Sequence, residues 1–258
     1  MKKLWNRDSL KSFFRKGQLP SEVHFGYLID STVNKLDDGF TKTDNDGLQL
    51  SPTGSGGTVI SIFREPGEQH PNWQIQLQKD ENGAGISFNS VSENADGSAT
   101  KVSRLFLANN GNVGVGTTMP RTQLEVNGAL GVNTRLGTYK IGQVAGDGEW
   151  HDILSALDGV LAFEIVARID GPPGRGKYAM THAIALCTFG GSSHRIKQTR
   201  AFFGWFWNRI EFRWHGDVHN YSLQMRTRTN YGRTAQDTSF MIRYHITRLW
   251  DDSIFTQV

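Results

Sequence analysis

Residues 111–128 read GNVGVGTTMPRTQLEVNG, and this stretch decides the fold class. Gly111, Gly114 and Gly116 alternate with Val113 and Val115. Glycine in a strand marks a place where another backbone approaches closely, and valine favours the pleated conformation. The stretch therefore predicts a short strand packed tightly against its neighbours.

The second half of the same stretch predicts a turn back into the sheet. Pro120 ends the first strand because it has no backbone N–H to donate. Residues 124–126 then form a second strand, and Asn127-Gly128 supplies the next turn. A strand, a break and a second strand within 18 residues indicate a mainly β protein.

Further strands precede this stretch, separated by glycine, serine and asparagine. TVISIFRE, NWQIQLQKD, GAGISFNS and SRLFLANNGNVGVG each alternate between apolar and polar residues, which predicts strands. Asn82-Gly83 and Asn110-Gly111 fit two-residue turns. We expect a small glycine-rich β region over residues 42–135.

The first 41 residues predict short helices. Asp8 or Ser9 can cap a segment that runs through Arg15, and a second helix opens at Pro20-Ser21. Its apolar residues recur at helical spacing and form one apolar face. They are Phe25, Leu28, Val33, Leu36 and Phe40. That face can join copies of the chain, pack on the chain's own β region, or dock on a partner.

Residues 136–258 hold most of the large aromatic residues and predict the main core. AFEIVARI, RIEFRW, YSLQMRTRT and SFMIRYHITRLW each have one apolar face and one polar, often arginine-rich face. An antiparallel β-sandwich of about eight strands buries such faces best. HDILSALDG suggests a short helical turn, and the apolar neighbours of Cys187 predict a buried, unreactive thiol.

Composition excludes several classes of function. The net charge of +3 and pI near 9.0 come from scattered basic residues, without a run that predicts nucleic-acid binding. No apolar stretch predicts a membrane span or a secretory signal peptide. We therefore expect a protein that assembles in the cytoplasm and does not insert into membranes.

Three patterns imitate catalytic or metal sites. GPPGRGKY resembles a phosphate-binding loop, but Tyr178 stands where the magnesium-binding Ser or Thr belongs, which favours a connection between strands. His215 and His219 lie in HGDVH without a third ligand and fit a hairpin better than zinc. Asp37-Asp38 and Asp251-Asp252 have the position of capping residues. We expect no metal, no cofactor and no catalytic residues.

RAFFGWFWNRIEFRWHG concentrates aromatic residues and arginines within residues 200–216. Phe202, Trp205, Trp207 and Ile210 are expected in the core. An outward-facing tryptophan beside an arginine would instead form a platform for sugar rings or a partner protein. The candidate residues for surface recognition are Trp207, Trp214, Arg226 and Arg228.

At residues 111–128 the chain resembles phage tail-fibre and related adhesin proteins, in which a segment of the form GNVGIGTxxPxxxLxVNG recurs. LPSEVHFGYLIDSTVNKLDDGF, DGEWHDILSALDG, GKYAMTHAIAL and RAFFGWFWNRIEFRW resemble bacterial proteins associated with extracellular contractile injection systems. These are phage-tail-like particles with a sheath, a tube and a baseplate. The resemblance carries no catalytic residues.

The resemblance implies a structural subunit at the baseplate of such a particle, as a short fibre or a cage-like extension, contacting baseplate and sheath proteins. It implies a homotrimer or other homo-oligomer, joined through Phe25, Leu28, Val33, Leu36, Gly111, Val113, Gly114, Val115 and Gly116. Residues 1–41 would anchor or oligomerise, and residues 136–258 would form a distal head. The released particle would be extracellular. The alternative is an adhesin that binds cell-surface carbohydrate.

Overall fold

The computed structural model describes residues 5–35, 37–80, 83–190 and 194–255. Leu36 and Asn82 lie outside these ranges, and with them one predicted interface residue and one predicted turn. The chain divides into two compact units, Met1–Leu130 and Gly131–Val258. The predicted separation of residues 1–41 from residues 42–135 stays a prediction.

Two short helices open the first unit. They are α1, Arg7–Phe13, and α2, Glu22–Asp30. Asn6 caps α1 by accepting a hydrogen bond from the Ser9 amide, one turn earlier than the predicted cap. Ser21 caps α2 as predicted. The predicted apolar helix extends too far along the chain, because Val33 lies beyond α2 and Phe40 begins a strand.

Eight short strands make up the rest of the first unit. They are β1 Phe40–Thr43, β2 Gly47–Leu50, β3 Thr58–Ile62, β4 Trp73–Asp80, β5 Gly83–Glu93, β6 Ala99–Ala108, β7 Val113–Val115 and β8 Leu124–Val126. β1 and β2 form a hairpin of their own. The other six follow chain order in one sheet, with every pair antiparallel except the parallel pair β7 and β8.

The predicted two-residue turn at Asn110-Gly111 is longer in the structure. Four residues, 109–112, separate β6 from β7. Gly111 has the positive φ of 90° that the sequence led us to expect. The side chain of Asn110 accepts a hydrogen bond from the Asn112 amide, which stabilises the wider loop.

The second unit is the predicted antiparallel sandwich of eight strands. They are β9 Lys140–Ala145, β10 His151–Leu157, β11 Val160–Asp170, β12 Tyr178–Thr188, β13 Arg195–Phe203, β14 Ile210–Asp217, β15 Asn220–Thr227 and β16 Met241–Arg248. A five-stranded sheet has the order β13-β12-β11-β16-β9, and a three-stranded sheet the order β10-β15-β14. A 3-10 helix, Asp252–Ile254, follows. The mainly β fold class is confirmed.

The core of the second unit lies between its two sheets. Strict alternation along β12 turns every second side chain inward, from Ala179 to Cys187. Phe163 from the larger sheet meets Trp214 from the smaller one, with ring centroids 6.5 Å apart. The predicted helical turn at HDILSALDG is wrong, because these residues form β10, which pairs with β15 and contributes Ile153 and Leu154 to the core.

Candidate functional site

The six-stranded sheet of the first unit has one face made almost entirely of apolar side chains. Strand register aligns them in rows across the sheet, for example Ile75, Phe88, Leu105, Val115 and Val126. We call this surface the apolar sheet face. Its fourteen members are Ile60, Ile62, Trp73, Ile75, Leu77, Ile86, Phe88, Val102, Leu105, Leu107, Val113, Val115, Leu124 and Val126.

Among the described residues of the first unit, none of the fourteen side chains on this face is buried, and Leu124 is 58% exposed. The opposite face of the sheet is polar, with Gln76 bonded to Asn89 and Lys101. A sheet that is apolar on one face must pack that face against another layer to be stable. The apolar sheet face is therefore built for contact with another surface.

The glycine stretch holds one end of this face in place. Val113 and Val115 lie on the apolar sheet face, as the predicted interface requires. Gly114 points the other way and is buried, and a Cβ there would overlap the carbonyl oxygen of Thr117. Gly111 and Gly116 have positive φ and serve turns rather than a surface.

The two helices present a second apolar area. Phe25, Leu28 and Val33 are exposed by 51%, 37% and 65%. Neither α1 nor α2 contains a buried residue, although the helices contact each other through aromatic pairs such as Phe14 and Phe25, 5.4 Å apart. Because Phe25, Leu28 and Val33 are exposed, they do not pack on the chain's own β region. Contact with other copies and docking on a partner remain as the two interpretations of this helix.

A different surface lies on the second unit, where the chain passes from one sheet of the sandwich to the other. β13 belongs to the larger sheet and β14 to the smaller one, so residues 204–209 cross the sandwich edge. Five aromatic side chains are exposed along this crossing: Phe202 44%, Phe203 66%, Trp205 74%, Phe206 49% and Trp207 39%. The prediction that Phe202, Trp205 and Trp207 belong to the core is wrong, and only Ile210 is buried. Phe202 lies at the end of β13, and Trp205 and Trp207 lie in the crossing loop, so all three are at the sandwich edge, outside the space between the two sheets.

Arginines gather beside these rings around one carboxylate. Glu211 accepts hydrogen bonds from Arg226 and Arg228 at 3.1 and 3.0 Å and forms an ion pair with Arg209 at 2.9 Å. Burial raises the pKa of Glu211, but the bonds from the three arginines outweigh it and leave the pKa below its ordinary value. Arg228 also lies over the ring of Trp207, 4.6 Å from its centroid.

A fourth arginine, Arg200, lies near this carboxylate. Burial lowers the pKa of Arg200, the nearby charge of Arg209 lowers it further, and the charge of Glu211 raises it. We call these residues the aromatic–arginine rim: Phe202, Phe203, Trp205, Phe206, Trp207, Arg200, Arg209, Arg226 and Arg228. Sequence reasoning found Trp207, Arg226 and Arg228 but missed Glu211, which the alternation of RIEFRW places on the same face as Arg213.

Trp214 does not belong to this surface. It is only 8% exposed and packs edge-on against Tyr221, with ring centroids 5.6 Å apart. Even residue numbers along β14 point into the sandwich, so Trp214 joins Phe212 in the core. Besides Trp207, a second tryptophan contacts arginines on the outer face of the smaller sheet. It is Trp150, which precedes β10. The guanidinium carbons of Arg213 and Arg226 each lie 4.3 Å from its ring centroid.

The patterns that imitate catalytic sites have structural roles. Gly171 and Lys177 close the connection between β11 and β12, and the Lys177 amine donates to the carbonyl of Asn230. His215 and His219 flank the β14–β15 hairpin. Asp251 caps the 3-10 helix, as a terminating residue should. Cys187 is 1% exposed, and burial raises its pKa.

Two features are absent from the described residues. They contain no group of three metal-binding side chains. They also contain no helix with the length and apolar character that a membrane crossing requires.

No protein family and no curated protein matches the chain. Among solved structures, it is similar to the tailspike protein of Acinetobacter phage vB_ApiP_P1, with a TM-score of 0.26 and 11% identity. The match covers 47% of this chain and 23% of the tailspike chain, so it spans about a quarter of that protein. A likeness at this level defines neither a family nor a function.

Proposed function

We propose that the chain is a non-enzymatic structural subunit that assembles with copies of itself in a phage-tail-like contractile injection particle. The observation that supports this most strongly is the uncovered apolar sheet face. Fully burying one Val, Leu, Ile or Phe side chain stabilises a protein by about 1.5–3 kcal/mol. The apolar sheet face has thirteen such side chains and Trp73, none of them buried, so a single copy leaves a large driving force unused.

Identical copies are the simplest partners for this face. Flat sheets pack on one another about 10 Å apart, with interdigitating side chains. Ser90, which lies in the same row as Trp73 and Val102, already accepts a hydrogen bond from Arg104 of the same chain. The six-stranded sheet of the first unit has the apolar sheet face on one side and a polar face on the other. Three such sheets around a common axis form a closed core, and the homotrimer is the state that we expect.

A place at the baseplate, as a short fibre or cage-like extension beside baseplate and sheath proteins, is our hypothesis for the particle. It is motivated by two sequence resemblances. Residues 111–128 resemble tail-fibre proteins, and LPSEVHFGYLIDSTVNKLDDGF, DGEWHDILSALDG, GKYAMTHAIAL and RAFFGWFWNRIEFRW resemble proteins of contractile injection systems. On this hypothesis the chain is assembled inside the producing cell and becomes extracellular with the released particle.

Electron microscopy of particles tests this hypothesis. Particles would be prepared with the wild-type chain, without it, with Leu107→Asp, and with Leu48→Asp. Leu107 lies on the apolar sheet face, whereas Leu48 is an exposed leucine of the β1–β2 hairpin and receives the same charge. We expect baseplate density to be lost without the chain and with Leu107→Asp, but kept with Leu48→Asp. Unchanged particles in all four preparations would contradict the proposal.

A further inference from the structure

The aromatic–arginine rim combines exposed rings with more positive charge than its own carboxylate neutralises. Arg200, Arg209, Arg226 and Arg228 surround Glu211, and their guanidinium groups are partly exposed rather than sealed in the core. We propose that the rim binds an acidic polysaccharide, a chain of sugar rings that carries carboxylates. This site lies within one sandwich and does not depend on self-assembly.

The charge of the rim argues for an anionic ligand. Three arginines, Arg209, Arg226 and Arg228, contact the single carboxylate of Glu211, so their positive charge exceeds its negative charge and favours a further anion. Arginine also presents a planar fork of donors that matches a carboxylate with two parallel hydrogen bonds. Within the protein, Glu211 shows that these arginines can hold a carboxylate: Arg226 donates to its Oε2, and Arg209 and Arg228 donate to its Oε1.

The rings argue for a ligand made of sugar units. The face of an indole or phenyl ring is electron-rich and attracts the weakly positive C–H bonds on one side of a sugar ring. Trp205 is 74% exposed, and no described aromatic ring contacts its indole, so its faces are available for stacking. Trp207 is stacked beneath Arg228, which places a ring and a charge at one point.

The extent of the rim argues for a chain rather than a single small anion. At one end, Tyr178, Met180, Phe202 and Phe203 line an open groove of about 380 Å³. Arg168 and Asp170, which form an ion pair, border this groove and supply polar contacts. The groove lies on the outer face of the larger sheet, and residues 204–209 lead from there to the smaller sheet, whose outer face carries Glu211 and Arg226. The sheets of a sandwich lie about 10 Å apart, so the surface has room for several linked rings.

Binding of the intact protein to defined polymers tests the proposal. The probes are polygalacturonate, neutral dextran, polyglutamate and single-stranded DNA, measured by calorimetry at two salt concentrations. Polygalacturonate carries both sugar rings and carboxylates. Dextran lacks the charge, and polyglutamate and DNA lack the sugar–carboxylate combination. The variants are Trp205→Ala, Arg228→Gln and, as a charge-matched control, Arg233→Gln, whose side chain pairs with Asp237 instead of Glu211.

We expect binding of polygalacturonate alone, weakened by salt. Trp205→Ala and Arg228→Gln should each weaken it about tenfold, in line with a lost stacking or cation–ring contact. Arg233→Gln should change it less than twofold. Absence of polygalacturonate binding, equal binding of dextran, polyglutamate or DNA, or an equal effect of Arg233→Gln would overturn the proposal. The molar mass of each variant, measured in parallel, separates this result from a failure of self-assembly.

Discussion

The two units of this chain expose similar numbers of large apolar side chains but bury very different numbers. Among the described residues, Gly131–Val258 buries twenty hydrophobic side chains in one cluster, whereas Met1–Leu130 buries Phe106 alone. Both units are β structures of similar length. The difference is that the second unit folds two sheets onto each other and the first leaves one face of a single sheet open. We therefore expect the sandwich to fold by itself and the first unit to depend on neighbouring copies.

Separating the units should produce the largest effect. We expect a fragment of residues 131–258 to unfold cooperatively, with a midpoint independent of protein concentration. A fragment of residues 1–130 should fold only as an oligomer, so its midpoint should rise with concentration. Circular dichroism melts at several concentrations measure both. A concentration-independent, cooperative melt of the 1–130 fragment as a monomer would remove the contrast.

Phe163→Ala probes the core of the sandwich. Phe163 is fully buried and contacts Tyr139 and Trp214, so its removal should lower the free energy of unfolding by about 3–5 kcal/mol. Phe203→Ala is the matched control, because that ring is 66% exposed and its loss should change stability by about 0.5 kcal/mol or less. Denaturant titration of the 131–258 fragment compares them. Equal losses would show that the sandwich core is not where the structure places it.

Gly114→Ala probes the glycine stretch of the first unit. The added methyl group would overlap the Thr117 carbonyl, and the resulting backbone shift should cost about 1–3 kcal/mol. It should also weaken assembly, because β7 carries two valines of the apolar sheet face. Gly54→Ala is the control, since a Cβ there meets open space. Sedimentation and thermal melts of the full chain report both effects. Indistinguishable behaviour of the two variants would argue against the close contact between Gly114 and the Thr117 carbonyl.

Glu211→Gln should have a smaller effect, on the sandwich only. The pKa of Glu211 in the folded chain lies below the value of 4.5 for the unfolded chain, so its charge stabilises the fold above that pH. This stabilisation is lost as pH falls through the folded pKa. We expect Glu211→Gln to cost about 1–2 kcal/mol at pH 7, reduced by solvent around the arginines, and this cost to shrink as pH falls through the folded pKa of Glu211.

The control for this variant is Asp237→Asn, which removes an exposed ion pair with Arg233. Such pairs contribute little, about 0–1 kcal/mol. Urea titrations of the fragment 131–258 between pH 3 and pH 7 give the comparison. A cost of Glu211→Gln that stays constant over this range would contradict the assigned pKa direction.

Sequence alternation predicted the sandwich well because its strands have one face in a core. Alternation of apolar and polar residues predicted the eight strands and the buried Cys187. Glycine and proline predicted the connection at GPPGRGKY. The register between strands did not follow, so Trp214 was assigned to the surface. Whether Trp214 in RIEFRW faces inward depends on which of two alternating sets of residues points into the sandwich. Trp150 contacts Arg213 and Arg226 although it is far from them in the sequence.

The first unit was harder to predict for a related reason. Val113 and Val115 stood out because glycines surround them, but the other members of the apolar sheet face look like ordinary half-buried strand residues. Only the order of the six strands shows that Ile75, Phe88 and Leu105 share one row with Val115. Helical spacing was a poor guide beyond Asp30, because Val33 lies in the connection after α2 and Phe40 begins β1.

The molar mass of the purified full chain, measured by light scattering across a wide range of concentrations, tests the central claim most directly. One copy has a mass of 28.8 kDa. The account predicts a stable homo-oligomer, with three copies as the expected number, that Leu107→Asp dissociates and Leu48→Asp leaves intact. A wild-type chain that remains a monomer of 28.8 kDa at every concentration, with its first unit folded, would contradict it.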